Sequence, residues 1–212
     1  MYDSLMRLPL LGWVLLCAGT QLVGLSHSID TRSTDFVYLT HAAMQLSTIT
    51  FLLLIGAVVI LRTRPSAKAS GLEPRISALL GTFLMYGIVL FPRRDLSLSA
   101  VVISTLLTTV GSVGAVVTLS QLGRSFSIMA ETRQLVTTGP YRFVRHPLYL
   151  AEEIAFIGLF IQFASVWTAL LLIVQIAFQL RRMRNEELVL AASFPEYDAY
   201  RRNTARLLPG IY

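Results

Sequence analysis

Residues 148–180 read LYLAEEIAFIGLFIQFASVWTALLLIVQIAFQL. As one helix this run would reach about 50 Å at 1.5 Å per residue, whereas the hydrocarbon core of a bilayer is only ~30 Å thick. The polar break Gln162-Phe163-Ala164-Ser165 offers a turn in the middle, so the run is expected to fold back as a short helical hairpin. Upstream lie four more apolar segments, Leu8–Leu25, Phe36–Leu61, Ile76–Phe91 and Leu98–Leu122. The expectation is an all-α integral membrane protein with about six transmembrane helices, the last two forming the hairpin.

Bulk composition agrees. Of the 212 residues, 54% are hydrophobic and 14% charged, where a water-soluble domain averages about 45–50% apolar and ~25% charged. Too few polar residues remain to coat a globule, which excludes a cytosolic enzyme, a disordered tail or a nucleic-acid module. The one cysteine, Cys17, excludes an internal disulfide. It reads as a small buried hydrophobe. Asp3 and the apolar Leu22-Val23 argue against cleavage of the first segment as a signal peptide, and bulky Leu16 argues against a lipoprotein cysteine.

The charge of +6 and the pI near 9.9 follow from topology. With the N-terminus inside, 15 of the 18 Lys and Arg residues fall on the cytoplasmic side, and only Arg32, Arg93 and Arg94 lie outside. That bias is the positive-inside rule, and it puts both termini in the cytoplasm. The compact size suggests a bacterial inner membrane. The whole reads as a single membrane domain over residues 1–212, in which residues 1–122 supply the four N-terminal helices. Residues 123–212 hold a motif loop, the hairpin and a C-terminal amphipathic tail. Arg62 to Pro74 reads as a plain linker.

Two constellations concentrate the chemistry. In residues 133–149, RQLVTTGPYRFVRHPLY, Gly139-Pro140 signals a turn and Pro147 suits the first turn of a helix. Arg145, His146, Tyr141 and Tyr149 thus reach one rim, where they can clasp a planar heterocycle or simply anchor the interface. In residues 181–188, RRMRNEEL, Arg182 and Glu186 share a helix face at a spacing of four. A carboxylate there can hold a cationic ligand and the arginine an anionic one; the alternative is a solvated helix end. Beyond Phe194-Pro195, Tyr197 and Tyr200 lie on an amphipathic piece expected to act as a lid. Glu152-Glu153 sit just inside the hairpin's first helix. Gly111-x-x-Gly114 is expected to allow close helix packing. Scattered His27, His41 and His146 give no metal site.

Gly139-Pro140-Tyr141, Arg145-His146-Pro147-Leu148-Tyr149, Glu186-Glu187, Phe194, Tyr197, Tyr200 and Leu208-Pro209 together resemble the isoprenylcysteine carboxyl methyltransferase family, related to the membrane phospholipid methyltransferases. The resemblance covers roughly residues 122–212. It implies S-adenosyl-L-methionine-dependent methyl transfer at a cytoplasmic cofactor-binding face, with Arg133, Gln134, Leu135, Val136, Tyr141, His146, Pro147, Leu148, Tyr149 and Glu186 on the cofactor. It further implies that Arg182, with Tyr200, faces a hydrophobic or lipidated methyl acceptor and orients its carboxylate; an amine acceptor would instead require a base, for which Glu187 is the best candidate. Membrane lipids are the other expected partner, with neither nucleic acid nor metal. Transfer to a phospholipid amine or a small thiol, or a nicotinamide-dependent membrane reductase of related fold, are the alternatives. Ala151 departs from the family, which often has Gly there, and the stretch from Glu187 to Tyr197 is slightly shortened.

Overall fold

The computed structural model describes residues 7–30, 36–61 and 65–210. Residues 31–35 of the expected outer loop, with Arg32, and Arg62 and Arg64 of the linker lie outside the described residues, as do the side chains of His27 and His41. Each expected apolar segment is helical: α1 (Arg7–Asp30), α2 (Phe36–Leu61), α3 (Glu73–Phe83, continuing as a 3-10 segment Leu84–Leu90), α4 (Leu98–Leu122), α5 (Pro147–Phe163) and α6 (Val166–Ser193). A short α7 (Tyr197–Asn203) follows. Four of these segments are long and apolar enough to cross a membrane, over 42–61, 73–90, 98–125 and 166–193. Large apolar side chains such as Leu15, Leu22, Val89, Val110 and Ile173 remain exposed on the helices, which is stable only against lipid.

Local chemistry sets the boundaries. Ser97 caps α4, its side chain accepting from the Ala100 amide, and Gly123 ends that helix at φ 49°. Pro147 stands in the first turn of α5, where its missing N–H costs nothing. At the hairpin turn Ser165 and Thr168 form a reciprocal capping box that starts α6. The expected pair of short helices is therefore corrected on one point. The first arm has 17 residues, but the second runs for 28, because nothing breaks the helix between Arg181 and Phe194-Pro195. The arms also take different partners. α5 packs chiefly on α4, and α6 chiefly on α3, while α1 lies on α2 and α2 on α4.

The α4–α5 seam depends on small residues. A Cβ at Gly111 would lie 2.5 Å from the Ala155 nitrogen and 2.6 Å from the Ala151 oxygen. A Cβ at Gly158 would lie 2.6 Å from Thr108 Oγ1, and Ser104 Oγ donates to the Gly158 carbonyl at 2.8 Å. Opposite Ala151 stands Gly114, where an added Cβ would come within 3.3 Å of the alanine methyl. The departure from glycine at position 151 thus meets a glycine across the interface.

The linker needs a second correction. Within it, β1 (Ala67–Lys68) pairs antiparallel with β2 (Glu131–Thr132), and the Ser66 and Ala69 amides donate to the Thr132 and Ala130 carbonyls at 2.8 Å each. Strand pairing of this kind comes from backbone groups, which leave no periodic trace in so short a segment.

Gly111→Val is expected to cost about 2 kcal/mol of stability, the typical cost of overpacking. Gly19→Ala, at a position with nothing within 4 Å, is expected to leave stability unchanged. Thermal unfolding of the two variants in one detergent checks the contrast.

Candidate active site

Two cavities meet at the end of the bundle that carries the motif loop. The first, the motif pocket, encloses about 100 Å³ and opens at its mouth. Arg133, Gln134, Leu135, Val136, Tyr141, His146, Leu148, Tyr149 and Glu186 all line it, and so does Tyr200. Pro147 does not line it but starts the helix that carries Leu148 and Tyr149. Gly139, at φ 60°, makes the turn that delivers Tyr141, a conformation costly for any residue with a Cβ.

At the floor stands Glu186. Its Oε1 accepts from the Tyr149 hydroxyl and lies 3.3 Å from Arg182 Nε as an ion pair, which leaves Oε2 for a ligand. Arg182 is 2% exposed. Its guanidinium lies 4.6 Å from the centre of the Tyr149 ring, Nη1 donates to Thr82 Oγ1 at 2.8 Å, and Nη2 to the Ser127 carbonyl at 3.4 Å. His146 stacks on the same tyrosine, with ring centres 5.4 Å apart.

Glu187 faces away from both cavities. Its Oε1 takes His146 Nε2 at 3.1 Å, Arg145 Nη1 at 3.0 Å and Arg206 Nε at 3.0 Å, and its Oε2 takes Arg206 Nη2 at 2.5 Å. Its lone pairs are thus already engaged by neighbours on the motif loop and the C-terminal tail. The tail is held by its backbone too, the Arg145 amide donating to the Ala205 carbonyl at 2.8 Å and the His146 amide to Arg206 at 3.1 Å.

Over the mouth, α7 brings Tyr197 and Tyr200 against the pocket. The Tyr200 hydroxyl donates to the Tyr141 carbonyl at 2.6 Å. Burial, reinforced by the neighbouring Glu187 carboxylate, holds the Tyr197 phenol up at about 12. Burial and the Tyr197 phenol do the same for Tyr200, also at about 12. Both remain neutral hydrogen-bonding groups at physiological pH.

The second cavity lies between the helices and encloses about 320 Å³. Its walls are mostly apolar or aromatic, among them Phe51, Leu52, Phe83, Tyr86, Phe156 and Leu159, with Arg182 and Glu152 at the end nearest the motif pocket. Phe126 lines both cavities, and the 3.3 Å pair of Arg182 with Glu186 joins a wall of one to a wall of the other. Among the described residues, no three His, Cys, Asp or Glu side chains converge as a metal site would require.

Residues 96–197 match the family model of the phospholipid methyltransferases. This segment of the chain is similar to that family. It takes in α4, the motif loop, both arms of the hairpin and the Glu186-Glu187 pair. Two relatives overlap about half of the chain. The nickel-cobalt-cadmium resistance protein NccN of Alcaligenes xylosoxydans xylosoxydans is 36% identical over 114 residues, 51% of this chain and 53% of that protein. The cobalt-zinc-cadmium resistance protein CzcN of Cupriavidus metallidurans is 34% identical over 116 residues, 51% of this chain and 52% of that protein. The chain thus spans about half the length of the curated relatives it matches. No solved structure matches it significantly.

Sequence reasoning missed several walls of the motif pocket, among them Phe126, Ser127, Thr132 and Leu190. Phe126 and Ser127 lie in the irregular Gly123–Ala130 loop, where polar and aromatic residues alternate without a regular period. Only the fold of that loop against α6 turns them inward.

Glu187→Ala strands Arg145, His146 and Arg206 without their shared carboxylate. Removing one partner of a buried ion pair costs about 3–5 kcal/mol. The expected result is a lower unfolding midpoint and faster tryptic cleavage at Arg206, read by mass spectrometry of a limited digest.

Proposed function

We propose that this chain is a membrane methyltransferase that uses S-adenosyl-L-methionine and acts on an apolar or lipidated acceptor. The observation that carries the reading is the juncture of two unlike cavities at Arg182 and Glu186. One is lined by the motif residues; the other is larger and set among helices of membrane-spanning length.

The residues of the motif pocket fit the cofactor by their chemistry. Glu186 Oε2 suits an ammonium group, Arg133 and Arg145 a carboxylate, and the apolar and aromatic walls of Phe126, Leu135, Tyr141 and Leu190 a flat heterocycle. When bound, S-adenosyl-L-methionine supplies a methyl group already activated on a sulfonium centre. The chain then needs to position and desolvate the reactants rather than generate a strong nucleophile. Tyr197 and Tyr200 close the open mouth against water. Phe126 and the Arg182–Glu186 pair form the partition at which the two reactants meet. Glu187 acts in this reading as a positioning residue, because its carboxylate holds Arg145 and His146 against the pocket. Tyr200 belongs with the cofactor side rather than the acceptor.

The acceptor enters the bundle cavity from the lipid. Its methylated group lies beside Arg182, in the place where the resemblance to isoprenylcysteine carboxyl methyltransferases puts a carboxylate. A phospholipid amine and a thiol are the alternative acceptors for the same site. We place the motif end in the cytoplasm, where the soluble cofactor is available and where 15 of the 18 Lys and Arg residues would lie.

Calorimetric titration of S-adenosylhomocysteine into detergent-purified protein tests the cofactor assignment. Micromolar binding is expected for the wild type. Glu186→Ala is expected to weaken it roughly tenfold or more, the loss of one charge-assisted hydrogen bond. No binding by well-folded wild type would sink the reading.

A further inference from the structure

Among the described residues, Glu152 is the one acidic side chain that lines the bundle cavity. Its Oε2 accepts from Gln179 Nε2 at 2.9 Å, and Gln179 is itself fully buried. Among the described residues nothing hydrogen-bonds to Oε1. Its neighbour Glu153 likewise accepts from one glutamine, Gln175 Nε2 at 3.0 Å, but lines neither cavity. Ionisable side chains at membrane depth are costly and need a partner. Arg182, the cation at the same cavity end, is not ion-paired with Glu152. It is committed to Glu186, Thr82, Ser127 and the Tyr149 ring. Glu152 of this cavity and Glu186 of the motif pocket thus flank one guanidinium, while Arg93, which also lines the cavity, lies 5.4 Å from the centre of the Phe163 ring.

We infer that Glu152 is the acceptor-side proton acceptor of the transfer, and that the cavity takes an apolar chain ending in a nucleophile that carries a proton rather than an ionised carboxylate. This deepens the methyltransferase reading and rests on it. The acceptor's donor group satisfies Glu152 Oε1 and brings the nucleophilic atom to the partition beside Arg182. In the transfer, that atom bonds to the methyl carbon as the carbon–sulfur bond breaks. Sulfur keeps the electron pair, and Glu152 receives the acceptor's proton. An acceptor carboxylate would instead bring a third carboxyl group to the same end and has no proton to give.

From Glu152 to Gln162, both lining the cavity on α5, the rise is about 15 Å at 1.5 Å per residue, room for a dodecyl chain. Of the two tryptophans, Trp13 lines the cavity and Trp167 is 69% exposed. Trp167→Phe leaves Trp13 as the reporter. The experiment titrates dodecylamine and dodecanoate into this variant in nanodiscs and follows Trp13 emission, with no cofactor present. The expected result is roughly tenfold tighter binding of the amine, the scale of one buried charge-assisted contact. Adding Glu152→Gln should abolish that preference, and adding Glu153→Gln should leave it. Equal or tighter binding of dodecanoate, a preference that survives Glu152→Gln, or no change in emission with either compound would overturn the proposal. If Glu152→Gln does not fold, the comparison of the two compounds on the Glu152-containing protein decides alone. S-adenosylhomocysteine binding in the same preparation separates the two readings. Cofactor binding without amine preference overturns the role of Glu152 alone, while amine preference without cofactor binding overturns the methyltransferase reading.

Discussion

A guanidinium at 2% exposure has to be neutralised and hydrogen-bonded where it stands, because leaving such a charge unpaired costs several kcal/mol. Arg182 meets that demand from four segments at once. Glu186 comes from its own helix, Tyr149 from α5, Thr82 from α3 and the Ser127 carbonyl from the loop after α4. Satisfying one charge thus fixes the relative positions of the elements that wall both cavities. Tyr149 is the centre of this arrangement. Its ring faces the guanidinium, its hydroxyl donates to Glu186, and His146 stacks against it.

A second buried anion does the corresponding work on the other side of α6. Glu187 draws Arg145, His146 and Arg206 together, so that a loop and a distant tail become one wall. Adjacent carboxylates on a helix point about 100° apart at 3.6 residues per turn. Glu186 can therefore serve a pocket while Glu187 holds the scaffold behind it. The Glu152-Glu153 pair on α5 splits in the same way, one carboxylate toward the cavity and the other toward Gln175. Across the bundle, the β1–β2 pair and the Lys68–Glu131 contact at 3.3 Å tie the N-terminal helices to the loop that borders the motif pocket.

Much of this was legible beforehand because it is local. The polar break before Ser165 and the capping residue itself announced the hairpin turn, and Pro147 the start of α5. Gly111 and Gly114 announced a close helix seam. The Arg182–Glu186 spacing of four announced a pair on one face. The end of α6 was legible as well, because Phe194-Pro195 breaks the helix after Ser193. The linker strand was invisible because its pairing uses main-chain groups that every residue carries.

By itself, the sequence determined a membrane-embedded helical chain, its apolar segments, and the motif residues that gather at one end. Those follow from hydropathy and from steric rules acting over a few residues. Only the tertiary structure decided which of two neighbouring glutamates faces a cavity, that Phe126 divides the two spaces, and that Arg182 is already neutralised by its own surroundings. Each of these depends on the rotation and separation of helices packed from distant parts of the chain, and no local pattern carries that information.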